Sequence, residues 1–364
     1  MKPILTLWEK LAFFPASCSI VSAGVKALLI GFLKTPKPAR SLLVYVKYAI
    51  SREFLSQLSI RQLQAISPST AEVYASLTDL DSKQSVSLGA GAIGHWIGPS
   101  EARSVLLWFH GGGFALPASH GHFAFLNGLR EKARQSGTEL SVLVLEYTLA
   151  PTAAYPTQLR QAVSCLRYVL HDTGHQPADV ILGGDSAGGN LVFGVLSHLS
   201  QPHPHIEPLP VKGNLGGAVA IAPWVSLDTE VAADSSNVAD DRGDIVSARV
   251  AKPWATAYLG GTRQDYYTDI ASAPGDWCHG LPVHCVLVTA GANELLLGTL
   301  RTFAAKMREN FKRFEFYIGE GECHVAPIAH LTMDLDSKTE QGDRIETWLI
   351  HVLSRIQHGI QKGC

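Results

Sequence analysis

The chain has 364 residues, 46% of them hydrophobic, and sets 30 Lys and Arg against 32 Asp and Glu for a formal net charge of −2. That is enough apolar material for one large catalytic domain with a cap, and the scattered balance of charge excludes a basic stripe that would follow phosphates, so no nucleic-acid partner is expected. Six irregularly spaced cysteines (Cys18, Cys165, Cys278, Cys285, Cys323, Cys364) with no C-x-x-C pair exclude a disulfide scaffold and a zinc motif.

A reducing compartment is the default reading of those cysteines. One local bridge, Cys278 to Cys285, stays open in an oxidising compartment, but no N-x-[ST] acceptor occurs in the sequence, which disfavours secretion. A cytoplasmic or endomembrane-associated protein is therefore expected.

In chain order, Leu11 to Leu33 is mostly apolar but is broken by Pro15, three serines and Lys26. A lysine near mid-span costs about 2.5–3.5 kcal/mol on insertion scales, which argues against a stable single span. Glu9 and Lys10 interrupt the front of a signal peptide. The stretch reads as an amphipathic segment folded onto the body, with membrane-surface association of residues 11–33 as the competing reading. After Pro36 and Pro38, the residues Leu43, Val46, Ile50, Phe54 and Leu58 fall at helical spacing and predict a second covering helix with that stripe as its inner face. Residues 1–68 are thus read as an N-terminal helical cap and residues 69–364 as the catalytic domain.

From residue 70 the texture suggests short strands, Ala71 to Leu77 and then Ser85 to Ile97 with glycines that imply a hairpin or bulge. Short apolar runs follow at Ser104–Phe109, Val142–Tyr147, Val180–Leu182, Ala218–Ala222, Val286–Thr289 and Phe314–Ile318. Between them, Gly121–Ser136, Pro156–His171, Ala187–Ser200, Leu296–Phe311 and Lys338–Ile356 have the length and period of crossover helices. Buried strands alternating with helices predict an α/β fold with a mostly parallel sheet covered on both faces. Gln201 to Pro210, with four prolines and two histidines, reads as a solvated loop. Trp224 to Gly261 breaks the rhythm, first acidic (Asp228, Glu230, Asp234, Asp240, Asp241, Asp244) and then aromatic (Trp254, Tyr258), and reads as a lid insertion at about 224–261.

Two motifs carry chemistry. Gly184-Asp185-Ser186-Ala187-Gly188 follows a strand and opens a helix, the context in which glycines permit a sharp turn that lifts the Ser186 hydroxyl above the sheet. Earlier, His110-Gly111-Gly112-Gly113 follows Ser104–Phe109 and lets backbone N–H groups approach a developing oxyanion. Donors are expected from Gly112, Gly113 and Ala187, with His110, Gly111 and Asp185 supporting the loops. No phosphate-binding glycine signature is spelled.

A serine needs a base and a group that orients the base. In a chain of this order the acid follows strand seven and the base strand eight. His324 is the histidine of the window Gly319–Pro327, with His330 as fallback, and Glu294 is the carboxylate of Ala290–Leu297, with Asp334 as rival. Histidines such as His95, His120, His122, His175, His203, His205 and His351 lie mostly in polar stretches where a solvated role is the default.

These motifs resemble the hormone-sensitive-lipase-type branch of the α/β-hydrolases over roughly Trp96 to Ile328, including Tyr147-Thr148-Leu149-Ala150-Pro151, where Thr148 replaces the usual arginine. Most members carry aspartate in a D-P-L segment, whereas this chain has Asn293-Glu294-Leu295, which is similar to a fungal subgroup of acetyl-ester hydrolases that includes steryl acetyl hydrolases and hydrolases of secondary metabolism. The resemblance implies an α/β-hydrolase fold with an eight-stranded sheet and a helical cap. It also implies a serine carboxylic-ester hydrolase that uses Ser186, His324 and Glu294 through an acyl-enzyme, on a short-acyl, acetyl-type ester of a bulky apolar alcohol. No metal or organic cofactor is implied. Two readings compete: the same machinery opening amides or lactones or transferring acyl groups in a biosynthetic pathway, and a ligand-binding protein on the same scaffold.

Overall fold

The computed structural model describes residues 2–33, 39–78, 83–228, 243–335 and 338–359. Its centre is an eight-stranded sheet in the order β1-β2-β4-β3-β5-β6-β7-β8. The strands are β1 (Lys83–Ser87), β2 (Ile93–Ile97), β3 (Ser104–Phe109), β4 (Leu140–Glu146), β5 (Val180–Asp185), β6 (Gly217–Ile221), β7 (Val286–Gly291) and β8 (Phe314–Gly319). β2 pairs antiparallel with both β1 and β4, and β4 through β8 run parallel. Every residue of β3, β5, β6 and β7 is buried. Val, Ile and Leu runs do this because a parallel strand meets helices on both faces and has no wet side.

The crossover helices lie where the periodicity places them: α6 (His120–Gln135), α7 (Thr157–Arg167), α8 (Ala187–Ser200), α10 (Leu297–Asn310) and α12 (Glu340–His358). α12 has both ends defined by its sequence. The Thr339 hydroxyl accepts the Gly342 N–H at the start, and Gly359 turns left-handed at the end. Two shorter helices, α9 (Ala248–Leu259) and α11 (Ala326–Thr332), lie between β6 and β7 and after β8.

The N-terminal part is helical: α1 (Leu7–Leu11), α2 (Phe13–Leu33), α3 (Leu42–Gln57), α4 (Ile60–Ile66) and α5 (Thr70–Ser76). α5 corrects the strand expected over Ala71 to Leu77. The Ser69 hydroxyl accepts the Glu72 N–H while the Glu72 carboxylate accepts the Ser69 N–H. This reciprocal S-x-x-E cap commits the segment to helix against the β-leaning of Val73 and Tyr74.

α3 forms as expected but buries a different stripe. Val44, Tyr45, Tyr48 and Ala49 are its buried residues, while Leu43 is exposed. Ile50 and Phe54 of the expected stripe instead line a cavity. Apolar spacing located the helix, and the flat rings of Tyr45 and Tyr48 decided which side packs.

α2 departs further from expectation. Pro15 falls in its first turn, where a missing N–H costs nothing, so the helix runs unbroken to Leu33. It is not folded apolar side inward. Only Ala16, Ala27 and Gly31 are buried, whereas Phe14, Val21, Val25, Leu28, Leu29, Phe32 and Leu33 are exposed. It rests on α3 through small residues, with Gly24 against Ile50 and Gly31 against Leu42 and Tyr45. The Ser19 hydroxyl adds a hydrogen bond to the Glu53 carboxylate at 2.5 Å.

Two smaller expectations are corrected. The stretch Gln201 to Pro210 is not solvated throughout, because His203, Ile206 and Leu209 are buried and His203 packs edge-on against Tyr155. Cys278 and Cys285 are both buried and neither is in a disulfide, so the local bridge does not form. Of the acidic lid residues, Glu230, Asp234, Asp240 and Asp241 lie outside the described residues, as does Cys364.

Candidate active site

Ser186 stands between the end of β5 and the start of α8, with φ +50° and ψ −115°. A left-handed φ is costly for a residue with a Cβ and persists only where the surroundings enforce it. Here Ser186 N–H donates to the Ile221 carbonyl at 2.8 Å, and its own carbonyl accepts from Trp224 N–H at 2.9 Å. Gly188 is needed for a different reason. A Cβ there would stand 1.7 Å from the Phe109 carbonyl oxygen, so any other residue would push α8 off β3.

His324 occupies the turn between β8 and α11. Its Nε2 lies 2.8 Å from Ser186 Oγ, with the hydroxyl placed to donate. Glu294 follows β7 and is fully buried. Its Oε2 accepts the Gly291 N–H at 2.7 Å, and its Oε1 faces His324 Nδ1 at 3.7 Å. That distance is an ion-pair separation, longer than a hydrogen bond. Neither Oε1 nor Nδ1 has a hydrogen-bond partner among the described residues, and such pairs commonly tighten when substrate binds.

Burial pushes the Glu294 carboxyl above its usual range, although the neighbouring imidazole works against this. Burial alone would lower the His324 imidazole. The Glu294 carboxylate, helped by Asp244 and Asp185, outweighs burial and holds it above its ordinary value.

The glycine loop after β3 lies beside the serine. Gly112 and Gly113 have φ +94° and +59°, and a Cβ on Gly113 would sit 1.8 Å from the Trp254 ring of α9. Ala187 is the first residue of α8, so its N–H has no acceptor within the helix. Gly112 and Gly113 line the same cavity as Ser186, and Ala187 follows Ser186 directly in the chain at the N-terminus of α8.

Beneath this loop, the buried Asp185 carboxylate accepts from Trp108 Nε1 at 3.1 Å and Gly111 N–H at 3.0 Å, and pairs with His122 Nε2 at 3.2 Å. Burial would raise its carboxyl, yet His122 and the Gly111 amide hold it below the usual value. His110 stacks on Tyr147 with ring centroids 4.2 Å apart and donates from Nδ1 to the Gly111 carbonyl at 2.8 Å. Burial, then the neighbouring His122, pushes its imidazole down to about 4, so it stays neutral.

The fallback and the rival lie elsewhere. His330 Nε2 is 2.6 Å from the Tyr48 hydroxyl of α3. Asp334 is exposed just beyond α11.

Ser186 and His324 open into a cavity of about 380 Å³. Its walls are Ile50 and Phe54 from α3, Leu116, Trp224, Val250 and Trp254 from α9, and Ile328 and Met333 near α11. Among the described residues no group of three or more His, Cys, Asp or Glu side chains gathers to hold a metal ion.

Sequence reasoning did not single out His122, Glu322 or the wall residues. The buried Glu322 carboxylate accepts the Glu340 N–H at 2.5 Å and the Gln341 N–H at 3.1 Å, pairs with Arg40 at 3.2 Å, and so fixes the turn that carries His324. The α12 amides it accepts lie eighteen and nineteen residues further along the chain, beyond α11, so no local pattern in the sequence marked it. For His122, the Ser119-x-x-His122 spacing at the start of α6 was the available hint.

A family model described as steryl acetyl hydrolase matches residues 40–346. Steryl acetyl hydrolase 1 of Saccharomyces cerevisiae is 35% identical over 126 residues, 34% of this chain and 27% of the yeast protein. An acetyl-hydrolase of Streptomyces hygroscopicus is 31% identical over 211 residues, 56% of this chain and 63% of that protein. The chain therefore spans less than two thirds of the length of these two relatives. Among solved structures, an esterase of the bacterial hormone-sensitive lipase family superposes with a TM-score of 0.64 at 22% identity, covering 88% of this chain and 99% of the other. At that identity the likeness speaks for the fold, that of the α/β-hydrolases.

Proposed function

The chain belongs to the steryl acetyl hydrolase family, and from that premise we propose that it is a serine carboxylic-ester hydrolase that removes a short acyl group, acetyl above all, from a bulky apolar alcohol. The observation that carries the reading is the 2.8 Å separation of Ser186 Oγ and His324 Nε2 at the polar end of an otherwise apolar cavity. Ser186 attacks the ester carbonyl and passes its proton to His324. His324 returns that proton to the leaving alkoxide, and Glu294 holds the imidazolium that forms in between. Gly112, Gly113 and Ala187 donate to the oxyanion. Water, deprotonated by His324, then attacks the acyl-enzyme, releasing the acid and restoring the serine.

Substrate class follows from the walls. Aside from the reacting groups, the cavity offers mainly aliphatic and aromatic carbon, and few partners for a charged or sugar-like alcohol. Residues 1–68 with the insertion at about 224–261 act as a cap on the catalytic domain 69–364, a division supported by α3 and α9 both supplying residues to the cavity wall.

The same reading extends to a lipid surface. Leu7–Leu33 forms a helical stretch of 27 residues that contains an 18-residue window of mean hydropathy 1.8, only 17% of it buried, which suits association of this segment with a membrane on a cytoplasmic or endomembrane face. An ester panel tests the substrate reading: an acetyl ester of a steroid- or terpene-like alcohol turns over well and the octanoyl ester of the same alcohol poorly. Equal turnover of both, or turnover of neither beside active p-nitrophenyl acetate hydrolysis, overturns it. Flotation with neutral phospholipid vesicles tests the surface: the full chain floats, and a chain lacking residues 1–33 stays below.

A further inference from the structure

The acidic residue at the root of the lid, Asp244, is 1% exposed, although nothing in its chain neighbourhood explains why a carboxylate should leave water. Its partners do. Oδ1 accepts the His324 N–H at 2.8 Å and the Ile245 N–H at 2.7 Å, and Oδ2 accepts the Leu295 N–H at 2.8 Å. His324 is the base and Leu295 follows the acid Glu294, so one carboxylate ties together the two loops whose spacing sets the Glu294–His324 contact. The backbone carbonyl of Asp244 in turn accepts Arg52 Nη1 of α3 at 2.9 Å. A few residues on, Ser247 Oγ meets Ser56 Oγ at 2.9 Å, and Ile245 and Val246 between them line the cavity.

We infer that Asp244 is a positioning residue that locks the acid and base loops in register and couples the seating of the cap to the competence of the triad. This inference rests on the serine-hydrolase reading above. Three backbone donors on a buried carboxylate form a charge-assisted clamp that neither loop supplies for itself. Its failure would let the Glu294 loop drift relative to His324, and a misplacement of about 1 Å at such a pair can cost on the order of 10²-fold in rate. The wall of the pocket and the clamp belong to one segment, so a cap that is not seated leaves a triad that is not aligned.

Asp244 also contributes charge. The groups that act on His324 are Glu294 on the loop after β7, Asp244 on the lid and Asp185 at the end of β5, and all three favour its protonated form. Burial works to raise the Asp244 carboxyl, with His324 and its three backbone donors opposing. An ionised Asp244 supports the imidazolium by its charge, held 2.8 Å from the His324 N–H.

The test is Asp244→Asn, a substitution of equal size that replaces one acceptor with an N–H pair facing a backbone N–H. Wild-type turnover of p-nitrophenyl acetate, and its loss in Ser186→Ala, first establish the reading on which the inference rests. With that in place, D244N lowers kcat by roughly ten- to a hundred-fold, leaves KM within about two-fold, and moves the acid limb of the kcat/KM profile to lower pH. A D244N enzyme with unchanged kcat and acid limb overturns the inference while leaving the serine mechanism standing. So does a loss that matches only a reduced folded fraction. Should D244N not fold, Arg52→Ala carries the test: it lowers kcat by several-fold without moving the acid limb, and wild-type kcat in that variant is the contrary result.

Discussion

β3 and α2 are both written almost entirely in apolar residues, yet every residue of the strand is buried and the helix buries only Ala16, Ala27 and Gly31. Composition is therefore a statement about avoiding water, and the partner is decided elsewhere. For β3 the partners are encoded within the chain: β4 and β5 on its edges, and Trp108 closing over Gly183. For α2 the main partner among the described residues is α3, which it meets through glycine and alanine, leaving most of its large side chains facing outward. An outward set of Phe, Leu and Val on a helix tied to an enzyme body suits a lipid surface. The short helix α1 that precedes it is anchored: Arg61 of α4 holds the Glu9 carboxylate at 2.8 Å, and Gln62 donates to the Glu9 carbonyl at 2.8 Å.

The comparison can be broken at several points, beginning with the core. Ser186→Ala should lower turnover of an acetyl ester by about 10⁴-fold or more, with no change in melting temperature. A fall of less than ten-fold would remove the sheet's C-terminal edge from the account. Glu294→Gln should cost about 10³-fold and shift the pH profile. His324 must be neutral to accept the serine proton, and its imidazole is held above the ordinary value, so the acid limb of wild-type kcat/KM should lie above about pH 6.5. Removing the carboxylate leaves burial dominant, so the limb should move to lower pH in E294Q; an unmoved limb would identify another group as the one titrating.

Gly113→Ala comes next, with about 10²–10³-fold lost, because the added methyl collides with Trp254 and disturbs an oxyanion donor. The sharpest contrast between the two regions uses stability. Leu107→Ala in β3 should cost about 2–5 kcal/mol, whereas Leu29→Ser on α2 should stay within about 0.5 kcal/mol in detergent-free buffer. Equal destabilisation by the two would mean that α2 packs against the body in solution.

Much of the core was legible in the chain. Most parallel strands are short apolar runs, and the crossover helices between them have their own period; both are local properties. The glycine loop and the serine turn were legible for the same reason: a positive φ and a close backbone approach leave glycine little competition, as Gly113 and Gly188 illustrate. His324 and Glu294 were reached through strand order alone.

What escaped was the set of groups joined by long-range contact. Asp244 looks like one of several acidic lid residues until the coordinates bring it to Leu295 and His324. His122 and His203 read as polar-stretch histidines, and burial against Asp185 and Tyr155 is a property of the folded chain. The helix α5 was missed although Ser69 and Glu72 spell its start, because the β-leaning side chains of Val73 and Tyr74 were given more weight than the cap. The outward face of α2 was only half legible: packing onto the body was the first reading of its apolar residues, with membrane-surface association of residues 11–33 as the competing one.

The most direct measurement is labelling of the full-length protein with a fluorophosphonate across pH, followed by mass analysis of the modified peptide. The account predicts a single adduct on Ser186, formed at a rate that falls as pH drops through a value above about 6.5 and abolished by His324→Ala. An adduct on any other residue, or a rate on Ser186 that is unaffected by loss of His324, would contradict it.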